Sequence, residues 1–160
     1  MFSTSILERL IDEEPTALSD IYESQMQVIS RVNSSICRDL ETLFNTPKRY
    51  SPLPGGLSNL IPSVVDYGVP GFFTNDMSTS NKNENFLHQL KLIIMCYEPR
   101  IHNPSLYIAD NYVSEKDNIK FHISGSVIVF SKMEYIKYNG IFNHKEYNFL
   151  VKDEGGFQYV

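Results

Sequence analysis

The sequence contains few residues of the kinds that build disulfide frameworks, metal sites or membrane spans. Its two cysteines, Cys37 and Cys96, have no CxxC spacing, and its four histidines form no HxH or HExxH pattern. No apolar run approaches the roughly 20 residues that cross a bilayer, and the N-terminus lacks a basic region followed by an apolar segment. These absences predict a cytoplasmic protein with reduced cysteines, no metal or other cofactor, and no direct membrane insertion.

Positive charge is also scarce. The chain has 14 Lys and Arg against 19 Asp and Glu, which gives a net charge of −5, and Lys48-Arg49 is its only basic doublet. A nucleic-acid-binding protein would normally show a basic face or stripe, so this class of partner is disfavoured. The 160 residues, of which 42% are hydrophobic and 12% aromatic, are enough for one folded domain with its own core.

The sequence lacks the patterns of common catalytic sites. There is no GxSxG motif, and Gly55-Gly56 is not followed by the Lys and Ser/Thr of a phosphate-binding loop. The acidic residues could include a pair at glycosidase separation, but nothing in their spacing supports one. The residues therefore favour a protein that is not an enzyme.

A long helix is predicted from about residue 24 to residue 44. Apolar residues recur there at spacings of four, four, four and three, which indicates one core-facing stripe. These residues are Val28, Val32, Ile36, Leu40 and Leu43. Asn45 tolerates the left-handed conformation of a helix C-terminus and Pro47 cannot continue the helix, so we expect the helix to end there.

The first 23 residues are predicted to form a separate segment. Ser5 and Glu8 have the spacing of a capping box and begin a short helix, which is too short to be stable alone. An acidic stretch interrupted by Pro15 follows and predicts a linker. We therefore divide the chain into residues 1–23, with the short helix and linker, and residues 24–160, which form the main domain.

A second amphipathic helix is predicted over residues 83–97, with Asn81 as its N-cap, and it ends at the block Glu98-Pro99-Arg100. Pro99 disfavours the helical conformation for the residue before it, so Glu98 should be extended. A carboxylate at the C-terminus of a helix needs a cation nearby, and Arg100 lies two residues later on the same side of an extended segment. Two alternatives remain: Glu98 and Arg100 pair with each other, or both contact a partner protein.

The two alternatives carry an expectation about stability. Docking to a partner is favoured over the internal salt bridge, and the pair is expected to be exposed. Replacing Arg100 by alanine should then disrupt assembly and leave the isolated fold largely intact, because an exposed pair contributes only ~0–1 kcal/mol.

Residues 119–129 alternate between apolar and polar and form the clearest predicted strand. Residues 106–113 predict an antiparallel neighbour, with a turn at 114–118. Residues 145–152 and 157–160 flank an Asp-Glu-Gly-Gly turn and predict a hairpin.

Residues 131–144 fit either a short hairpin around Asn139-Gly140 or a loop. Helices followed by strands predict an α+β fold, in which two main helices pack on a small mixed or antiparallel sheet.

Four sequence blocks, in this order over residues 5 to about 130, resemble the TssE/gp25-like family of baseplate subunits from type VI secretion systems and contractile phage tails. The long-helix block and the Glu-Pro-Arg block are the more specific ones, and the first block favours the secretion-system branch. The blocks are Ser-Ile-Leu-Glu-Arg-Leu at 5–10, Ser-Ile-Cys-Arg-Asp-Leu-Glu-Thr-Leu-Phe-Asn-Thr at 35–46, Ser-Val-Val-Asp-Tyr-Gly-Val-Pro at 63–70, and Tyr-Glu-Pro-Arg-Ile at 97–101.

The resemblance implies a structural role in the bacterial cytoplasm, within a baseplate near the inner membrane. Such a protein would join wedge subunits like TssF and TssG to sheath subunits like TssB and TssC, and would help to start sheath polymerisation when sheath strands add to its sheet. Glu98, Pro99 and Arg100 would then be partner-binding residues that anchor the protein to the wedge. The alternatives are a phage tail baseplate wedge protein and a peptidoglycan-cleaving, lysozyme-like enzyme that would use Glu98 as its acid.

Overall fold

The protein is described here from a computed structural model that covers residues 10–11, 24–49, 55, 58–61, 63–71, 80–109 and 118–154. The predicted N-terminal helix and acidic linker lie outside these ranges, apart from the exposed residues Leu10 and Ile11. Residues 114–117 of the turn predicted at 114–118 and the predicted strand at 157–160 also lie outside them, while Asn118 is the first residue of a strand. No helix in the described ranges is both long enough and apolar enough to cross a membrane.

Helix α1 (Gln25–Asn45) begins and ends close to the predicted bounds. Ser24 caps its N-terminus: the Ser24 hydroxyl accepts the Gln27 N–H, and the Gln27 side chain accepts the Ser24 N–H at 2.8 Å. The C-cap is Thr46, in an extended conformation. The predicted end of the helix is confirmed, since Asn45 is the last helical residue; its φ is not positive, so the helix ends without a left-handed residue there.

Helix α2 (Ser80–Tyr97) ends where Pro99 predicts. It begins at Ser80, so Asn81 lies inside the helix and the prediction of an N-cap at Asn81 is wrong. A short 3-10 segment, Val64–Asp66, capped by Ser63, lies between the two helices along the chain.

Four antiparallel strands follow in the order β1 (His102–Ile108), β2 (Asn118–Val129), β3 (Lys132–Asn143) and β4 (Asn148–Asp153). Strand β2 confirms the clearest prediction. Strand β1 begins four residues earlier than predicted, and the turn before β4 extends to residue 147. The predicted α+β fold is confirmed. Its sheet is antiparallel, which is one of the two kinds of sheet, mixed or antiparallel, that the sequence predicts.

Strand β3 corrects the prediction for residues 131–144. Asn139 and Gly140 lie inside one continuous strand, paired with His122 and Phe121 of β2. Packing, and not a turn, requires a glycine at position 140, because a Cβ atom there would lie 2.3 Å from the Phe121 ring. An Asn-Gly pair that normally indicates a hairpin therefore makes room for an aromatic side chain in mid-strand.

Both helices pack on one face of the sheet and enclose the core between them. Helix α1 lies over β4, and α2 lies over β1. Phe86 of α2 and Phe44 of α1 meet the rings of Phe121, Phe142 and Phe149 at the centre of this core. The residues that the stripe of the long helix predicts to be buried all lie in this core, and three residues of α2 lie there with them: Val28, Val32, Ile36, Leu40 and Leu43, then Phe86, Leu90 and Ile94.

Candidate functional site

The Glu98-Pro99-Arg100 block forms a tight turn between α2 and β1. Glu98 makes the last helical hydrogen bond, from its N–H to the C=O of Ile94 at 2.8 Å, and its own C=O accepts the Ile101 N–H at 3.2 Å. Pro99 occupies the second position of this turn, which its fixed φ suits. The expectation of an extended segment is therefore wrong, and the turn brings the Arg100 side chain back onto the Glu98 carboxylate.

Glu98 and Arg100 form a bidentate ion pair. Nε of Arg100 donates to Oε1 of Glu98 at 2.6 Å, and Nη2 donates to Oε2 at 2.5 Å. Glu98 is buried, with 5% of its surface exposed, whereas the Pro99 ring is exposed. Two parallel hydrogen bonds to one guanidinium fix both side chains in a single geometry.

Helix α1 completes the site with two residues that sequence reasoning did not connect to it. Nη2 of Arg100 also donates to Oδ2 of Asp39 at 2.5 Å, and Nη1 donates to Oγ of Ser35 at 3.3 Å. Burial by itself lowers the pKa of Arg100, but hydrogen bonds and charge attraction from Glu98 and then Asp39 outweigh it and raise that pKa above its usual value. The guanidinium therefore stays charged and ties the end of α2 to the middle of α1.

We call Ser35, Asp39, Glu98 and Arg100 the arginine clasp. Ser35 and Asp39 are four residues apart on α1 and therefore lie on one helix face, a pattern that also fits an ordinary solvated face. A fully buried Ser35 is the structural sign that this face is covered. Of the two alternatives for Glu98 and Arg100, internal pairing is observed, and the part of the clasp that solvent reaches is the rim of Asp39 and Arg100 beside Pro99.

Tyr97, the residue before Glu98, anchors the neighbouring segment that contains the 3-10 turn Val64–Asp66. The Tyr97 hydroxyl donates a hydrogen bond shared between the C=O groups of Ile61 and Asp66, at 2.6 and 2.7 Å. Burial, followed by the nearby Cys96 and Asp66, raises the pKa of Tyr97 to about 12. The Asp66 carboxylate pairs with Lys48 at 2.6 Å, so the segment is tied to α2 on one side and to the end of α1 on the other.

The two edges of the sheet differ in what covers them. The outer edge of β4 is closed by α1: the Asn45 side chain accepts the Phe149 N–H and donates to the Phe149 C=O, both at 2.8 Å. Further along β4, Sγ of Cys37 donates to the C=O of Val151 at 3.4 Å. The amide of Asn45 therefore occupies the place that the backbone of an added strand would take.

The outer edge of β1 is open within the described part of the chain. The Ala109 N–H donates a hydrogen bond to the Lys120 C=O. Because hydrogen-bonded positions alternate along an antiparallel strand, the register makes Tyr107 and Ser105 hydrogen-bonded positions toward β2 as well. The N–H groups of Leu106 and Ile108 therefore point away from β2, and no described residue accepts a hydrogen bond from them. A row of unmet backbone groups is the surface that another extended chain pairs with.

The described residues offer neither a metal site nor an activated thiol at Cys37. Nowhere in these ranges do three His, Cys, Asp or Glu side chains cluster so that they could hold a metal ion. Burial, then the charges of Asp153 and Glu41, raises the pKa of the Cys37 thiol to about 11, so this thiol is protonated at neutral pH. Glu98 is held by Arg100 and is not available as a catalytic acid.

Comparison with known protein families identifies a matching family. A family model described as baseplate wedge protein gp25 matches residues 30–130, which is more than half of the chain. The matched range includes most of α1, all of α2, the turn with the clasp, and strands β1 and β2. No curated protein and no solved structure matches the chain.

Proposed function

Because the chain belongs to the family of the baseplate wedge protein gp25, we propose that it acts in a type VI secretion system, where it links the baseplate wedge to the sheath and helps to start sheath polymerisation. The family is structural and non-enzymatic, so the chain is a baseplate component of a contractile injection machine, and other baseplate and sheath proteins are its partners. The Ser-Ile-Leu-Glu-Arg-Leu block at 5–10 favours the secretion system over the phage tail.

The observation that carries the sheath-binding part of the proposal is the open edge of β1. Sheath subunits of the TssB/TssC type would supply an extended segment that pairs with Leu106 and Ile108 through backbone hydrogen bonds. The edge of β4 is excluded from this role because Asn45 already bonds the Phe149 backbone. Strand addition on β1 extends the sheet beside α2.

The wedge-binding part of the proposal concerns Glu98, Pro99 and Arg100. TssF- and TssG-type subunits would contact the exposed Pro99 ring and the accessible rim of Arg100 and Asp39. The buried Glu98 carboxylate would contribute indirectly, since it holds Arg100 in one orientation. Preorganised side chains lose less conformational entropy on binding than free ones do.

We further propose that residues 1–23 form an arm distinct from the main domain, and that the protein works in the bacterial cytoplasm, in a baseplate near the inner membrane. Neither nucleic acid nor direct membrane insertion is part of this function. The phage tail alternative shares the fold and the wedge position, so the identity of the recovered partners separates the two.

The experiment is recovery of partners by the tagged full-length chain from cells that carry the whole secretion cluster. We expect TssF/TssG-type and TssB/TssC-type subunits to be recovered together. Recovery of neither, under conditions that preserve the baseplate, would refute the proposal, and recovery of phage tail proteins would favour the alternative.

The position of the sheath contact is tested with two variants of one residue. Ile108→Pro removes an outward N–H without removing a bond to β2, whereas Ile108→Ala shortens the same side chain and keeps the N–H. We expect only Ile108→Pro to lose the sheath subunits while retaining the wedge subunits. Equal recovery of sheath subunits by both variants would rule out pairing at β1.

A further inference from the structure

One face of the sheet has a charge opposite to that of the whole chain. We call the side that carries Lys120, Lys137 and Lys152 the outer face; the alternate residues of the same strands are buried against the helices. The only acidic residues of the four strands, Glu134 and Asp153, belong to the inner face by register. Glu154, directly after β4, lies opposite Lys137 on the outer side, since its N–H donates to the Lys137 C=O at 3.2 Å. The outer face therefore carries three positive charges and one negative charge, in a chain whose net charge is −5.

The three lysines are available for binding. Each is exposed, and none forms an ion pair with a described residue. Strand spacing and register put the Cα atoms of Lys137 and Lys152 about 8 Å apart, and those of Lys120 and Lys152 about 12 Å apart. Like charges at such distances repel one another, and Glu154 offsets this repulsion next to Lys137 only, so an anionic partner would relieve the repulsion that remains at Lys120 and Lys152.

Polar contacts hold the surface between the lysines in a fixed arrangement. Nδ1 of His122 lies 2.5 Å from Oδ1 of Asn139, and the Tyr107 ring lies against the His122 ring with centroids 5.0 Å apart. In register, these three residues and Lys152 form one row across all four strands. Side chains that already contact one another lose less conformational freedom when a partner binds, so this row suits a preorganised interface.

Exposed apolar side chains on the same face indicate the class of partner. Met133 is 69% exposed and Tyr135 is 52% exposed, and Leu150 lies next to the lysines on the edge strand. Sequence-tolerant nucleic-acid surfaces combine aromatic side chains with many cations, often arginines, whereas these strands contain no arginine. Lysines interspersed with aliphatic and aromatic side chains are better matched by a protein surface that mixes carboxylates with apolar groups.

We propose that the outer face is a docking surface for an acidic segment of another protein, whose carboxylates meet Lys120, Lys137 and Lys152 and whose apolar side chains contact Met133 and Tyr135. This surface is separate from the β1 edge and from the arginine clasp. It therefore does not depend on the function proposed above.

The test measures binding of a fluorescein-labelled random copolymer of glutamate and tyrosine to the full chain by fluorescence anisotropy. The net charge of the chain repels this polymer, so binding requires a locally positive surface. The test variant is Lys120→Glu with Lys152→Glu. The matched control is Lys91→Glu with Lys132→Glu, two exposed lysines that lie on α2 and at the start of β3.

We expect the wild type and the control to bind alike, raised salt to weaken binding, and the test variant to bind roughly tenfold more weakly or worse. Equal weakening in the control, or tighter binding of labelled duplex DNA than of the copolymer, would overturn the proposal. Should circular dichroism show the test variant to be unfolded, Lys120→Gln with Lys152→Gln replaces it, and unchanged binding by that folded variant would equally overturn the proposal.

Discussion

Replacing Arg100 by alanine should strongly destabilise the protein, because it leaves a carboxylate without its cation inside the fold. Glu98 is 5% exposed, and both of its oxygens bind Arg100. Removing one partner of a buried ion pair costs about 3–5 kcal/mol. The ion pair between Arg100 and Asp39 contributes less, since the Asp39 side chain is 35% exposed and solvent-screened pairs are worth only ~0–1 kcal/mol.

Thermal and urea unfolding measure this cost. In a chain of this length, 1 kcal/mol lowers Tm by roughly 2–4 °C, so we expect Arg100→Ala to lower Tm by roughly 6–20 °C. The slope of the free energy of unfolding against urea concentration should not change, since the same surface is exposed on unfolding.

A second variant separates loss of the ion pair from loss of side-chain packing. Arg100→Ala combined with Glu98→Gln removes both charges, so it should be more stable than Arg100→Ala alone, with a coupling free energy of about 0.5–3 kcal/mol. A Tm for Arg100→Ala within about 2 °C of the wild type, or a double variant no more stable than the single one, would refute the reasoning.

This prediction reverses the expectation from sequence that Arg100→Ala leaves the fold largely intact. That expectation assumed an exposed pair, and the assumption is wrong because the turn at Pro99 places Glu98 inside the protein. A loss of assembly in this variant therefore does not by itself identify a docking residue. The exposed Pro99 and the accessible Asp39 are better positions for that test.

Four further predictions concern the β4 edge, the sheet and the two thiols. Asn45→Ala should cost about 1–3 kcal/mol in urea unfolding, because both backbone groups of Phe149 lose their partner. Gly140→Ala should cost about 1–3 kcal/mol, because the new methyl group meets an aromatic ring; a neutral outcome in thermal unfolding would contradict the close contact. Cys37, with its pKa raised to about 11, stays protonated in the native state while the unfolded thiol ionises, so stability should fall from about pH 9 to 11, and Cys37→Ala should reduce that fall. At pH 8, mass spectrometry should show iodoacetamide modifying the exposed Cys96 before Cys37.

Local patterns predict the elements whose environment is uniform along their length. The four-residue apolar spacing of α1 and the alternation of β2 each reflect one buried face, so both elements appear within about one residue of the predicted bounds. Strand β3 departs from this rule because its Asn139-Gly140 pair responds to the Phe121 ring across the sheet. A contact of that kind depends on register, which a single segment does not contain.

In the arginine clasp, too, the contact between residues close in sequence could be predicted and the contacts to distant residues could not. Glu98 and Arg100 are two residues apart, and their pairing was one of two stated alternatives. Asp39 lies 61 residues before Arg100, and its spacing from Ser35 also fits an ordinary solvated helix face. The role of Asn45 in closing the β4 edge is hidden for the same reason, since a helix-ending Asn predicts a local cap.

The unequal edges of the sheet give the molecule a direction. Because Asn45 closes one side and the other side is open within the described residues, a chain can be added next to β1 but not next to β4. A subunit with two open edges can stand anywhere in a row of identical contacts, whereas a subunit with one can stand only at its end. Under the proposed function, the hydrogen bonding of this sheet would confine added chains to the β1 side, and a series that starts from it would grow in one direction only.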